Sequence, residues 1–330
     1  MAEPKYDVLA IGNAIVDIIG RCNDAFLMKH GASKGGMRLV DAETVKSIYA
    51  DMGPGIEISG GSAANTMVGV ASFGGRSTFI GKVADDEFGR IFAHDIKAAG
   101  VSFKTPPAKG GVPTARSLVL VTADGERTMN TFLGVSPELG DGEVDIAEVQ
   151  AAKIVYLEGY LFDRPEAKAA FRRAADAAKA AGRQVALTLS DAFCVDRHRA
   201  EFLDLIKGPV DIMFANESEL KSLYKAQTFE DAARLVKAQT KIAVLTRGAK
   251  GSVILSGDKA VTVAPETVKQ VVDTTGAGDL YAAGFLYGHA VGKPLDVCGR
   301  LGSIAAAEII SHIGARPVTS LAKLAKAKGL

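Results

Sequence analysis

The sequence predicts an α/β fold: a three-layer α/β/α core around a mostly parallel sheet, with a small β-sheet lid. Three observations carry this. First, the segments "YDVLAIG" (6–12), "STFIGKV" (77–83), "KIVYLEG" (153–159), "QVALTLS" (184–190), "VDIMFAN" (210–216) and "KIAVLTRG" (241–248) are strand-like, and several are apolar on successive residues. Such runs suit strands covered on both faces. Second, helical stretches lie between them, at "SAANTMVGVASFG" (62–74), "EAKAAFRRAADAAKAAG" (166–182) and "EDAARLVKAQT" (230–240). Strand then helix, repeated, implies right-handed crossovers and parallel pairing. Third, 17–41 and 114–134 break that rhythm with short strand-like runs and the turn signal "ADGE", and they read either as a small β lid over the ligand crevice or as ordinary surface hairpins.

These patterns divide the chain into a core of 1–13, 46–104 and 136–330, with lid insertions at 14–45 and 105–135. In a sheet of this kind, ligands bind beyond the carboxyl ends of the strands. The tail "TSLAKLAKAKGL" reads as a terminal helix with a solvated face.

Composition narrows the function. Lysine and arginine total 39 against 38 acidic residues, a formal charge of +1. That balance gives no general attraction to nucleic acid or to an anionic membrane. Cys22, Cys194 and Cys298 are far apart and show no zinc spacing, so they read as small buried residues in a reducing compartment. "MAEPKYDVLAIGN" lacks the long apolar stretch of a secretory signal, and no run approaches a membrane span. The expectation is a cytoplasmic protein.

Several motifs are decoys. "GHAVGKP" (288–294) resembles a P-loop, but one residue is missing between its glycines and Pro294 stands where a magnesium ligand belongs. It reads as a helix end. "IGNAIVDIIG" follows a strand without the glycine pattern of a dinucleotide fingerprint. The histidines show no metal-ligand spacing.

Other motifs point to chemistry. In "VVDTTGAGDLYAAGFLYG" (271–288), Asp279 stands where an apolar helix begins, after a Gly-Ala-Gly turn. An acid there favours the helix dipole. The glycines also let backbone N–H groups converge on a phosphate, and a carboxylate beside such an anion hole can accept a hydroxyl proton. "GIEISGGSAANT" (55–66) places Gly60 and Gly61 before a helix of small residues carrying Asn65. This is either a tightly packed helix start or a hydroxyl-binding corner. Asn13 and Asp17 are polar groups in an apolar stretch and need partners. In "FANESEL" (214–220), Asn216 and Glu219 have capping-box spacing, and the same pair could face magnesium-bound phosphates through water.

Taken in order, "GNAIVD" (12–17), "GGSAAN" (60–65), "DEFGR" (86–90), "PT" (113–114), "DGERT" (124–128), "NESE" (216–219), "LTRGAKG" (245–251) and above all "DTTGAGD" (273–279) resemble the ribokinase-like (PfkB) family of carbohydrate and nucleoside kinases. The resemblance covers nearly the whole chain. It implies a ribokinase-like core with a β lid, ATP as donor, magnesium, and transfer to a primary hydroxymethyl group. By the same resemblance Asp279 is the base, and the backbone of Gly276, Ala277 and Gly278 forms the anion hole. Asn216 and Glu219 organise magnesium and its waters, Thr246 and Gly248 lie beside the nucleotide, and Ser303 and Ala306 flank its adenine. Asn13, Asp17, Gly61, Ser62 and Asn65 bind the acceptor, and Arg127 in the lid closes onto the transferring phosphate. A potassium ion near Asp273 is a further expectation.

For the acceptor, Ser62-Ala63 replace the Lys-Gly usual in ribokinases, and "GNAIVDI" with "GGSAANT" is more similar to bacterial adenosine kinases. Ile15, Met37, Phe132, Leu133, Tyr160 and Phe162 are expected to form an apolar and aromatic mouth suited to a purine. A kinase for fructose or a keto-deoxy sugar acid, and a silent nucleoside-binding protein, stay open as alternatives. The expected partner is a small nucleoside or sugar, and the assembly either a monomer or a lid-mediated homodimer.

Overall fold

The computed structural model describes residues 3–330. The first two residues of the 1–13 core segment lie outside the described residues. In chain order the strands are β1 (Tyr6–Ile11), β2 (Ile15–Arg21), β3 (Met37–Leu39), β4 (Gly55–Gly60), β5 (Ser77–Ile80), β6 (Ser102–Phe103), β7 (Ala115–Val121), β8 (Arg127–Phe132), β9 (Ala152–Glu158), β10 (Gln184–Thr188), β11 (Ile212–Asn216), β12 (Ile242–Thr246), β13 (Ser252–Ser256) and β14 (Lys259–Val263). Nine form one sheet in the order β14-β13-β12-β11-β10-β9-β1-β5-β6. From β12 to β6 every pair is parallel, and β13 and β14 add an antiparallel edge.

Alternate residues of the central strands enter two different cores. Val8, Ala10, Ile154 and Tyr156 pack into one, whereas Leu9, Ile11, Val155 and Leu157 pack into the other. This two-sided burial is why the strands read as continuous apolar runs. The helices Ser62–Ser72 and Ala277–Ala290 cover the first face, and Pro165–Ala180 and Ala192–Lys207 cover the second.

The smaller sheet has the order β3-β8-β7-β2-β4. Two features differ from the sequence expectation. β4, assigned to the core within 46–104, pairs antiparallel with β2 and belongs to the small sheet. The insertion at 17–41 also contains a helix, Asp24–Lys29, started by the Asn23 side chain accepting from Phe26 N. The "ADGE" turn does join two antiparallel strands, β7 and β8, with Gly125 at φ 87°. A positive φ there suits glycine.

The polar residues of interest gather where the large sheet ends and the small one begins. Asn13 follows β1, Glu158 ends β9, Asn216 ends β11 and Thr246 ends β12. Asp17 reaches in from β2, and Asp279 from the start of the helix Ala277–Ala290.

Candidate active site

Gly276 caps the helix Ala277–Ala290 at φ 76°, a left-handed conformation that favours glycine. The first-turn N–H groups of a helix lack intrahelical partners. The N–H of Ala277 is the exception here, because it donates to Thr274 O at 3.2 Å. Gly278 is open: a Cβ there would meet nothing within 4 Å. An anion can therefore approach the backbone at Gly278, and the Ala277 amide serves the turn.

Asp279 is ringed by protein except on the crevice side. Its Oδ1 accepts from Ser62 Oγ at 2.6 Å and its Oδ2 from Asn65 Nδ2 at 3.1 Å. Enclosure pushes the carboxyl above its ordinary range, and the two hydrogen bonds and the charge of Arg316 pull it back. Asn65 Oδ1 is buried and has no hydrogen-bond partner among the described residues. That oxygen is available to a hydroxyl donor.

The Gly60-Gly61 corner requires its glycines. Gly61 has φ 97°, and a Cβ on it would fall 2.2 Å from Asn13 O. A Cβ on Gly60 would strike the Asp17 carboxylate at 2.4 Å. Enclosure raises Asp17 to about 6, against the opposing charges of Arg316 and Arg127. Asn13 is differently placed from the expectation of a free acceptor ligand: its Nδ2 donates to Glu158 Oε1 at 2.8 Å and its Oδ1 accepts from Ser136 Oγ at 3.0 Å.

Glu158 escaped the sequence-based selection, although a carboxylate closing the apolar run "KIVYLEG" was a signal. It is 1% exposed. It accepts from Asn13 N, Asn13 Nδ2 and Ala63 N, joining the end of β1 to the Gly60-Gly61 corner. Burial pushes its carboxyl up to about 7 despite these bonds.

Register sorts the aromatic mouth. Asp17, Ser117 and Thr131 are paired across β2, β7 and β8, as are Ile19, Val119 and Met129. Paired residues share a face, and alternate rows of one parity lie on the same side. Asp17 therefore shares its face with Ile19, Val119, Met129 and Met37, and the last of these is 50% exposed. Phe132 lies in the other row, with Arg116 and Val16. The Arg116 guanidinium sits 5.9 Å from its ring and 5.0 Å from that of Phe88. Phe132 is thus packing on the far face, not part of the mouth. Phe162 is also core, fully buried and stacked on Phe202 at 4.9 Å. Tyr160 stays half-buried beside the crevice in the turn Gly159–Asp163, with its N–H on Ser190 Oγ.

Arg127 opens β8 on the Asp17 side of the small sheet and is ion-paired with Asp273. Asp273 also accepts from Thr275 N at 3.0 Å and Gly314 N at 3.1 Å. Arg127 is therefore engaged by a carboxylate in this structure, where the expectation had it facing phosphate. Asp273 is occupied by donors, which leaves the potassium expectation without support.

At the other end of the crevice, Asn216 and Glu219 form a full capping box. Asn216 N and Nδ2 donate to the Glu219 carboxylate at 2.9 and 2.6 Å, and Glu219 N donates back at 2.9 Å. Burial pushes Glu219 up to about 7. With both carboxylate oxygens so engaged, the pair fits a hydrated magnesium better than a directly bound one. Thr246 is the register partner of Asn216, and Gly248 follows it at φ 56°. Nearby, a cavity of about 290 Å³ is lined by Thr262, Val263, Pro265, Glu266, Arg300 and Ser303. The Ser303 hydroxyl is spent on Ala264 O and Glu266 N, so it shapes the cavity wall. Ala306 is half-buried one turn further along the same helix.

Among the described residues no group of His, Cys, Asp and Glu is arranged to hold a metal by itself, and no helix is long and apolar enough to cross a membrane.

Comparison with known proteins agrees with this architecture. The pattern of the pfkB family carbohydrate kinase matches residues 57–321. An adenosine kinase from Sinorhizobium meliloti is 53% identical over 98% of this chain and 99% of its own, with a TM-score of 0.92. A probable sugar kinase protein from Rhizobium etli CFN 42 is 52% identical over 99% of both chains, also with a TM-score of 0.92. An uncharacterized sugar kinase from Archaeoglobus fulgidus is 31% identical over 76% of this chain and 97% of its own length. The fold is the ribokinase-like α/β fold. The chain belongs to the pfkB family of carbohydrate kinases and is a phosphotransferase acting on a hydroxyl group.

Proposed function

We propose that the protein transfers the γ-phosphoryl group of ATP to the 5′-hydroxyl of adenosine. The observation that carries the acceptor is the face of the small sheet around Asp17, where Ile19, Val119, Met129 and Met37 offer apolar wall to a purine beside one carboxylate for ribose hydroxyls. A free sugar would leave that wall against water. The high identity to the Sinorhizobium meliloti adenosine kinase supports the same choice.

In this reading Asp279 accepts the proton of the 5′-hydroxyl as its oxygen forms a bond to the γ-phosphorus and the bond to the bridging oxygen of ADP breaks. Asn65 Oδ1 and Asp17 bind the acceptor's other hydroxyls. The backbone at Gly276 and Gly278 receives the transferring phosphoryl group, and Arg127 joins it on exchanging Asp273 for phosphate. The small sheet acts as a lid that excludes water. Asn216 and Glu219 would hold hydrated magnesium, which would supply positive charge to neutralise the phosphates. The nucleotide lies along Thr246 and Gly248, with its base toward Ser303 and Ala306.

A sugar is the second reading, because the relatives from Rhizobium etli and Archaeoglobus fulgidus are named sugar kinases. The test is ADP release from magnesium-ATP with adenosine, guanosine, inosine, ribose and fructose, using wild type and Asp279→Asn. Adenosine-dependent turnover that falls on the order of 10²–10⁴-fold in the variant is expected. Turnover with a sugar alone would overturn the acceptor, and near-normal activity of the variant would overturn the base.

A further inference from the structure

The tripeptide Gly314-Ala315-Arg316 belongs to no motif read from the sequence, yet each of its residues touches a different part of the site. Gly314 N donates to Asp273 Oδ2 at 3.1 Å. Ala315 packs over Gly276, its Cβ lying 3.0 Å from where a Cβ on that glycine would stand. Arg316 reaches the acceptor corner: its Nε and Nη2 donate to Ser59 O at 2.8 and 2.5 Å, Nη2 to Ser59 Oγ at 3.0 Å, and Nη1 to Ala64 O at 3.0 Å.

Ser59 precedes the Gly60-Gly61 corner and Ala64 follows it. The guanidinium therefore spans the corner with a rigid fork, which a lysine ammonium cannot reproduce. From the opposite side Asp95, on the helix Glu87–Ala98, holds Ser59 by its N–H at 2.8 Å and its hydroxyl at 2.6 Å. The corner in turn carries Ser62 and Asn65, the two donors to Asp279. Two glycines without such a brace would leave these donors on the loosest backbone in the site.

We propose that Arg316 is a positioning residue that fixes the Gly60-Gly61 corner and thereby holds Ser62, Asn65 and the acceptor in register with Asp279. This rests on the reading of Asp279 as the base. Arg316 also places a positive charge among carboxylates. The ionisable groups facing this cluster are Asp17 from β2, Asp95 from the helix Glu87–Ala98, Arg127 from β8, Glu158 from β9 and Asp279 itself, with Tyr156, Tyr160 and Glu219 also sensing Asp279.

The test compares Arg316→Lys and Arg316→Met with wild type and Asp279→Asn, on the acceptor that supports turnover. Arg316→Lys keeps the charge and loses the fork. A rise in acceptor KM and a fall in kcat, each on the order of 10- to 100-fold, are expected, with KM for magnesium-ATP changed by no more than about twofold. Arg316→Met shares that split and also moves the acid limb of kcat/KM to higher pH, because a carboxylate loses a neighbouring cation. Ser59→Ala is the milder variant if either fails to fold. Removing the hydroxyl held by Arg316 and Asp95 is expected to raise acceptor KM roughly 3- to 10-fold and leave the nucleotide KM alone.

Variants that lose only thermal stability, or that weaken both substrates equally, would overturn the positioning role. The reading of the base fails separately, through an active Asp279→Asn.

Discussion

The Ser62 hydroxyl donates to Asp279 at 2.6 Å across a sequence separation of 217 residues, joining the helix after the Gly60-Gly61 corner to the helix after the Gly276 turn. A donor to a carboxylate stabilises the ionised form, and a base works only when ionised. Ser62→Ala removes one of two such donors and so raises the Asp279 carboxyl further. The acid limb of the kcat/KM profile should move to higher pH, and turnover at pH 6 should fall roughly tenfold. An unchanged pH profile with lowered activity would mean that the hydroxyl serves only packing.

The α/β core was legible because burial on both faces leaves its mark on every residue of a central strand. β4 was not, because "GIEISG" followed by a helix reads locally like one more strand–helix unit of the core. Its partner β2 lies far back in the sequence, and pairing across that gap is set by tertiary structure. The motif residues Asp279, Ser62 and Asn65 were legible individually, but their mutual hydrogen bonds were not. Phe132 reads in the sequence as a wall residue, and only the register through β7 to β2, which sets it in the row of Arg116 and Val16, places it on the face away from Asp17. Arg316 sits in an irregular segment, where neither periodicity nor a motif could single it out.

Glu158 makes stability depend on pH in a defined direction. Its folded carboxyl is raised to about 7 from an ordinary 4.5, so the folded state holds the proton more tightly than the unfolded chain does. That contribution is complete below pH 4.5 and is lost as pH rises through about 7. Denaturant unfolding of wild type and Glu158→Gln at pH 5 and pH 8 isolates it. The variant loses an acceptor at either pH, but its deficit relative to wild type should shrink at pH 8 by about 1–3 kcal/mol. Parallel losses would show that Glu158 does not titrate in this window.

The Arg127–Asp273 pair ties the small sheet to the loop before the Gly276 turn, with side chains 9% and 5% exposed. Breaking a buried pair from one side strands the other charge. Arg127→Met and Asp273→Asn should each cost about 3–5 kcal/mol, whereas the double variant should cost clearly less than their sum. Equilibrium unfolding of the four proteins completes the cycle. Additive losses would show that the two charges are not coupled.

The two faces of the small sheet give opposite expectations for residues three apart in β8. Phe132 packs beside Arg116 on the side away from Asp17, so Phe132→Ala should lower unfolding free energy by about 1–3 kcal/mol and leave acceptor KM nearly unchanged. Met129 lies on the Asp17 side and, unlike the equally half-buried Phe132, is not packed against the main core, so Met129→Ala should change stability by less than about 1 kcal/mol. If the acceptor carries a purine, the same substitution removes part of its wall and should raise acceptor KM roughly 5- to 50-fold. A small sugar held by its hydroxyls would scarcely notice the loss. Measuring both KM values beside the unfolding curves therefore separates the nucleoside reading from the sugar reading. A Phe132→Ala variant with poor acceptor affinity and wild-type stability would reverse the assignment of faces.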